Sequence, residues 1–313
     1  MTSVQDSLRT GLVAGIRSGW RSFVWMAQIV IPISVLVAAL QWSGLLDKLD
    51  VVLAPLMALL RLPPEAGLPI VTGMLVNIYA VLGAMAVIPF TAGQMTLIAV
   101  FSLIAHNLIL EGIVQHRSGI NALTMTLVRI AAAIVTVFFV SRFFSGTSQS
   151  VATPAAMAPH GPLAEALRSW GVNTGLLLVR VLAIIMLIMI ALEISKAMGW
   201  IDGVNKVFRP MMKVFGLSER ATTMFVAGLV FGLLYGGAVI VEEARRGRLT
   251  REDAEGLHVS LGINHAVVED PALFATLGLN LLWLLIPRLV TAIAAVHILR
   301  GARRIFAKPA QAV

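Results

Sequence analysis

Residues 93–143 read GQMTLIAVFSLIAHNLILEGIVQHRSGINALTMTLVRIAAAIVTVFFVSRF. Two apolar runs, Gly93–Gln115 and Ile120–Phe143, flank Gly119, and each carries a charge at similar distance from it, Glu111 before and Arg129 after. About 20 apolar residues cross a bilayer, and backbone inside lipid must be helical or shielded by protein. At ~1.5 Å per residue, both charges lie roughly 12–15 Å from a turn at Gly119, near the middle of a ~30 Å apolar core. A charge at that depth is expensive and faces protein or water. The stretch therefore describes a helical hairpin inside a bundle, with its carboxylate and guanidinium turned inward.

The rest of the chain has the same character. Of 313 residues, 58% are hydrophobic and 13% charged, about half the ~25% charged residues of soluble domains. That composition excludes a soluble globular enzyme and predicts an all-α polytopic membrane protein. Further spans are expected at Ser22–Gln41, Thr174–Lys196, Gly256–Leu277 and Leu279–Leu299. Two other apolar stretches, Ala66–Phe90 and Ala221–Val241, either turn back as re-entrant hairpins or cross. Asp6, Arg9 and Arg17 interrupt any apolar core in the first twenty residues, so a cleavable signal peptide is not expected there. Val4, Leu8, Leu12 and Ile16 recur every fourth residue and predict a basic amphipathic helix on the membrane surface over 1–21. There is no cysteine, hence no disulfide and no thiolate metal site. No phosphate loop, zinc-protease motif, Ser-His-Asp spacing or haem motif occurs, and the chain is not expected to be an enzyme.

Sliding the sequence by 155 residues lays Gly44–Leu75 over Gly199–Val230 with nine of 32 positions identical, among them Pro55/Pro210, Ala66/Ala221 and Gly73/Gly228. Further on the offset grows. Asn107 and Glu111 then fall on His265 and Glu269, Gly119 on Gly278, Asn121 on Asn280 and Arg129 on Arg288. Matched polar residues in one order predict two repeats, 22–143 and 174–300, separated by a linker over 144–173 and followed by a basic tail over 301–313. Each repeat reads as a span, an interfacial helix, a hairpin stretch and two spans. If the hairpin stretches turn back, the repeats are inverted, and seventeen Lys and Arg lie on one side against four on the other. That fits the positive-inside tendency and puts both termini in the cytoplasm of a bacterial inner membrane. Eight full spans is the alternative.

Polar residues within the spans are the candidate site. One half offers His106, Asn107 and Glu111; the other offers Asn264, His265, Glu269 and Asp270. Asn107 and Glu111 share a helix face at a spacing of four, as do His265 and Glu269. Pro271 frees a carbonyl in the preceding turn and breaks the helix there. Freed carbonyls beside carboxylate, amide and imidazole can coordinate a cation or hold a polar solute. The plainer reading is a satisfied polar network, with Arg129 and Arg288 forming one buried salt bridge per repeat. Asn77, Tyr79 and Tyr235 fall near the hairpin tips, where they line a pocket or simply pack.

This order of elements resembles the transport core of concentrative nucleoside transporters. The segments Gly232-Leu-Leu-Tyr235-Gly-Gly and Asn264-His265-Ala-Val-Val-Glu269-Asp270 are similar to bacterial nucleoside recognition, or Gate-domain, membrane proteins. Related Gate segments occur in ferrous-iron transporters and spore-maturation membrane proteins. The resemblance implies a solute site between hairpin tips and broken spans, with Asn107, Glu111, His265, Glu269 and Asp270 on the latter. The first hairpin lacks the Gln-Thr-Glu cluster with which nucleoside transporters hold the base and offers Asn77 and Tyr79 instead. None of the 313 residues reads as the GTPase domain that ferrous-iron transporters carry.

Three functions follow as expectations. The first is a secondary transporter of a small polar solute coupled to H⁺ or Na⁺, without a cofactor. The second is a divalent-metal permease using His106, His265, Glu111, Glu269 and Asp270. The third is a membrane subunit that partners another Gate-type protein or a copy of itself. The net charge of +8 reads as a topology signal and not as nucleic-acid binding.

Overall fold

The computed structural model describes residues 4–43, 45–144, 162–245 and 249–306, and all regular elements among them are helices. The first half contains α1 (Val4–Trp42), α2 (Leu46–Leu59), α3 (Gly67–Leu75), α4 (Ile78–Met85), α5 (Ala92–Ala105), α6 (Leu108–Arg117) and α7 (Ala122–Val140). The second contains α8 (Leu163–Ala197), α9 (Trp200–Met211), α10 (Thr222–Arg245), α11 (Arg251–Ile263), α12 (Glu269–Ala275) and α13 (Leu281–Phe306).

Helix α1 runs unbroken for 39 residues, about 58 Å at 1.5 Å per residue and so nearly twice a ~30 Å apolar core. The surface helix expected over 1–21 is thus not a separate element, because its described residues continue into the span. The reason lies in Gly11, Gly15 and Gly19. These weaken a lone helix, but here they let α1 close on α8: a Cβ at Gly15 would sit 2.5 Å from the Ile190 Cα, and one at Gly11 2.7 Å from the Ile194 Cα. Small residues every fourth position are how helices approach closely in lipid. Gly11 meets Ile194, Gly15 meets Ile190 and Gly19 meets Met186, so the two helices run antiparallel. Farther along, the Trp170 indole N–H donates to Ser34 Oγ at 3.1 Å. Of the linker expected over 144–173, residues 145–161 lie outside the described residues, and from Leu163 onward it is already α8. Of the tail over 301–313, the part through Phe306 belongs to α13.

Among the described residues, five helical stretches are long and apolar enough to cross a membrane: Gln5–Trp42, Ala92–Arg117, Ala122–Phe144, Leu163–Ala197 and Leu281–Arg303. The expected span Gly256–Leu277 is not continuous; α11 stops at Ile263 and α12 starts at Glu269, with Pro271 in its first turn, where no backbone N–H is needed. Leu187 and Ile298 are 69% and 70% exposed, whereas Arg129 and Arg288 are 2% and 0% exposed. An apolar exterior around buried charge is the arrangement lipid selects. The chain is a polytopic, all-helical membrane protein.

The halves agree in local detail. Pro55 lies within α2 and Pro210 within α9. Short 3₁₀ turns follow at Pro64–Ala66 and Glu219–Ala221. Thr91 and Thr250 cap α5 and α11, each hydroxyl accepting from the backbone N–H three residues on. The hairpin turns expected at Gly119 and Gly278 are present, at φ of 78° and 80°. At the first of these, the Ile120 N–H reaches the Gln115 carbonyl and the Gly119 N–H that of His116, which closes the end of α6.

Candidate functional site

Four interruptions of helix meet in one place. The first separates α3 from α4 at Val76 and Asn77. The second separates α5 from α6 at His106 and Asn107. The third lies within α10 at Gly232, whose φ of 79° and ψ of 168° fall in a region essentially open to glycine alone. The fourth spans Asn264 to Val268, between α11 and α12. The broken spans are tied to the hairpin stretches through backbone: Asn107 N–H donates to Gly73 O at 2.9 Å, Ala266 N–H to Gly228 O at 3.3 Å and Val267 N–H to Leu229 O at 2.9 Å. Asn107 and Ala266 both hold left-handed backbone, at φ of 54° and 45°.

Between these interruptions lies a cavity of about 220 Å³. Of the residues singled out in the sequence, Asn77, Tyr79, His106, Asn107, Glu111, His265, Glu269 and Asp270 line it. Asn264 is buried, as the C-cap of α11, and its Oδ1 has no hydrogen-bond partner. The Tyr235 side chain lies outside the described residues. Ser22 and Trp25 of α1 complete the wall, with the Trp25 and Tyr79 rings edge to face at 5.5 Å. Nothing in the sequence marked that pair, because it joins α1 to α4 with no local pattern to announce it.

Arg129 and Arg288 are not in the lining; they brace it. Arg129 donates to Glu111 Oε2 at 2.6 Å, to Ile104 O at 2.9 Å and to His106 O at 2.9 Å. The last two are carbonyls released where α5 ends. Arg288 does the same for α11, donating to Ile263 O at 3.3 Å and His265 O at 2.8 Å. These bonds fix the register between halves at 159 residues, so His106 corresponds to His265 and Glu111 to Asp270. The sequence alignment had placed Asn107 and Glu111 over His265 and Glu269, one residue out. The salt bridge expected in each half is found only in the first. Glu269 is turned to Tyr79 instead, whose hydroxyl donates to its Oε1 at 2.7 Å. Neither Arg288 Nη1 nor Asp270 Oδ2 has a hydrogen-bond partner.

The two histidines match each other closely. His106 Nδ1 faces Ser102 O at 2.9 Å, and His265 Nδ1 faces Leu261 O at 2.7 Å, each four residues back. A ring nitrogen facing a carbonyl carries a proton, which in the neutral ring leaves Nε2 as an acceptor. The rings lie 4.9 Å apart. Both Nε2 atoms turn toward carboxylates: His265 to Glu111 Oε1 at 3.4 Å, His106 to Glu111 Oε1 at 3.8 Å and to Asp270 Oδ2 at 3.7 Å. Asn77, expected to meet solute, spends its Oδ1 capping α4 through the Tyr79 and Ala80 N–H groups. It still lines the cavity.

Fold and site together define a polytopic membrane protein whose ionisable groups gather where discontinuous helices meet. Among known proteins, the Gate family, described as nucleoside recognition, matches residues 23–152. The match covers the first half of the site; Asn264 to Asp270 lie beyond it. The uncharacterised membrane protein YvoD of Bacillus subtilis (strain 168) is 29% identical over 291 residues, which span 90% of each chain. No solved structure matches the chain significantly.

Proposed function

We propose that the chain is a membrane permease for a small polar solute, bound in the cavity between two inverted halves. In this reading it is a carrier and not an enzyme, has no resident cofactor and uses H⁺ or Na⁺ as coupling ion. The observation that carries the reading is the meeting of four helix interruptions around one cavity lined with carboxylates and imidazoles. Irregular backbone at membrane depth is tolerated where it lines a cavity, and secondary transporters build their sites from such broken helices. A volume of about 220 Å³ is below the ~300–1,000 Å³ of pockets for drug-sized ligands, which favours a small solute. The description of the matching family, nucleoside recognition, makes nucleosides one solute class to test.

The antiparallel course of α1 and α8 supports inversion. They are the first spans of the two halves, and equivalent helices that run opposite ways are related by an axis in the membrane plane. Re-entrance of the first hairpin is supported by the contact of Gly73 with Val81, which sets α3 beside α4 across the break at Asn77. The excess of Lys and Arg assigned to one side supports cytoplasmic termini.

Glu269 is the carboxylate best placed for coupling. It lines the cavity and is held by a single tyrosine hydroxyl, whereas Glu111 is locked to Arg129. Uptake into proteoliposomes of nucleosides, nucleobases and divalent ions, with and without H⁺ and Na⁺ gradients, tests the assignment. Gradient-driven uptake of one solute class is expected, with the gradient dependence lost in a folded Glu269→Gln variant. Unchanged gradient dependence in that variant would remove Glu269 from the coupling role. Uptake of nothing, together with a stoichiometric co-purifying partner, would replace the permease reading with that of a subunit.

A further inference from the structure

Four acceptor atoms converge on one side of the cavity with no donor among them. His106 Nε2 and His265 Nε2 are lone-pair acceptors, because each Nδ1 is committed to a carbonyl. Glu111 Oε1 faces both rings, its other oxygen being held by Arg129, and Asp270 Oδ2 has no hydrogen-bond partner. Lone pairs facing lone pairs repel unless a proton or a metal cation lies between them.

We propose that this cation is a divalent transition-metal ion, held by His106 Nε2, His265 Nε2, Asp270 and Glu111 Oε1, and that it is the solute the protein carries. The second clause rests on the permease reading; the first does not. Ligand atoms of His106, His265 and Asp270 lie within 4.8 Å of one another. The separations of 3.4, 3.7 and 3.8 Å from imidazole nitrogen to carboxylate oxygen compare with roughly 3.3–3.6 Å between neighbouring ligands of a tetrahedral ion with ~2.0–2.2 Å bonds. Glu111 stands outside that trio, so closing on one ion asks the two carboxylates to draw in toward the imidazoles. Two imidazoles select a borderline ion of the Zn²⁺, Co²⁺ or Fe²⁺ class over Mg²⁺ or Ca²⁺, which prefer oxygen.

The surrounding groups fit the same role. A metal-binding histidine usually donates its second ring N–H to a carbonyl or carboxylate, which fixes ring and tautomer. Ser102 O and Leu261 O supply that contact here. The arginines hold the backbone of both histidines, through His106 O and His265 O. With all three carboxylates, Glu111, Glu269 and Asp270, ionised against two guanidinium groups, one net negative charge is left for a cation to offset.

Full-length protein in detergent, stripped with chelator and titrated with Co²⁺, tests the site, since Co²⁺ bound to nitrogen and oxygen in four- or five-coordinate geometry absorbs strongly in the visible. One equivalent of Co²⁺ is expected, displaced by Zn²⁺, with binding weakened about 100-fold or more in His265→Ala and in His106→Ala. If either alanine variant does not fold, His265→Gln and Asp270→Asn preserve shape while weakening the ligand, and the same loss is expected of them. Failure to bind Co²⁺, or equal binding by a folded His106→Ala/His265→Ala double variant, overturns the metal site and leaves the permease reading to be judged by uptake of other solutes. Metal-loaded spectra without uptake of Co²⁺ or Zn²⁺ into proteoliposomes uphold the site and overturn the ion as cargo.

Discussion

Glu111 and Asp270 occupy equivalent places, yet only Glu111 is bonded to the arginine of its half. Glu111 is 1% exposed and bonded to Arg129 at 2.6 Å, while Asp270 has an oxygen with no hydrogen-bond partner. Breaking a buried ion pair strands the remaining charge, at about 3–5 kcal/mol. Glu111→Gln is therefore expected to lower unfolding stability by about 3 kcal/mol, and Asp270→Asn by less; denaturant unfolding of the two variants in one detergent checks the order. A sequence can show that Glu111 and Arg129 lie at one depth, since both are counted from Gly119, and that much was legible. It does not show which side chain of the other half turns toward which. Glu269 stands one residue farther from Gly278 than Glu111 does from Gly119, and it bonds to Tyr79, 190 residues away in the chain. Nor did the alignment fix the register, because His106-Asn107 and Asn264-His265 match equally well one residue apart. Only the paired bonds from Arg129 and Arg288 decide it.

Helices were legible where apolar runs were long and poorly legible where packing overrode them. The breaks in α5–α6 and α11–α12 were foreshadowed by polar residues and Pro271. The unbroken course of α1 was not, since glycine spacing reads as helix-weakening until a partner helix is present. That seam makes a contrast in two like substitutions. Gly15→Ala puts a methyl 2.5 Å from the Ile190 backbone and is expected to destabilise by about 1–3 kcal/mol through overpacking. Gly171→Ala on α8 meets nothing within 4 Å and is expected to stabilise by about 0.5–1 kcal/mol through helix propensity. Thermal unfolding of both variants checks the sign; equal shifts would deny that the seam is tight.

Across the whole molecule, the inverted reading makes a topological statement that the chain's composition makes easy to test. With no native cysteine, Ser148→Cys reports one position without background. It is expected to react with an impermeant maleimide from outside intact cells, whereas a cysteine placed after Val313 reacts only once the membrane is opened. Reaction of both from the same side would support eight spans. The two halves are also unequal in one respect that repetition hides. At the break between α5 and α6 the left-handed residue is Asn107, a type that visits this region; between α11 and α12 it is Ala266, for which the conformation costs about 1–2 kcal/mol. Ala266→Gly is expected to stabilise the fold by about 1 kcal/mol and to slow amide exchange around residues 264–268, while Asn107→Gly does little. Of two matching corners, then, one stores backbone strain that its counterpart does not.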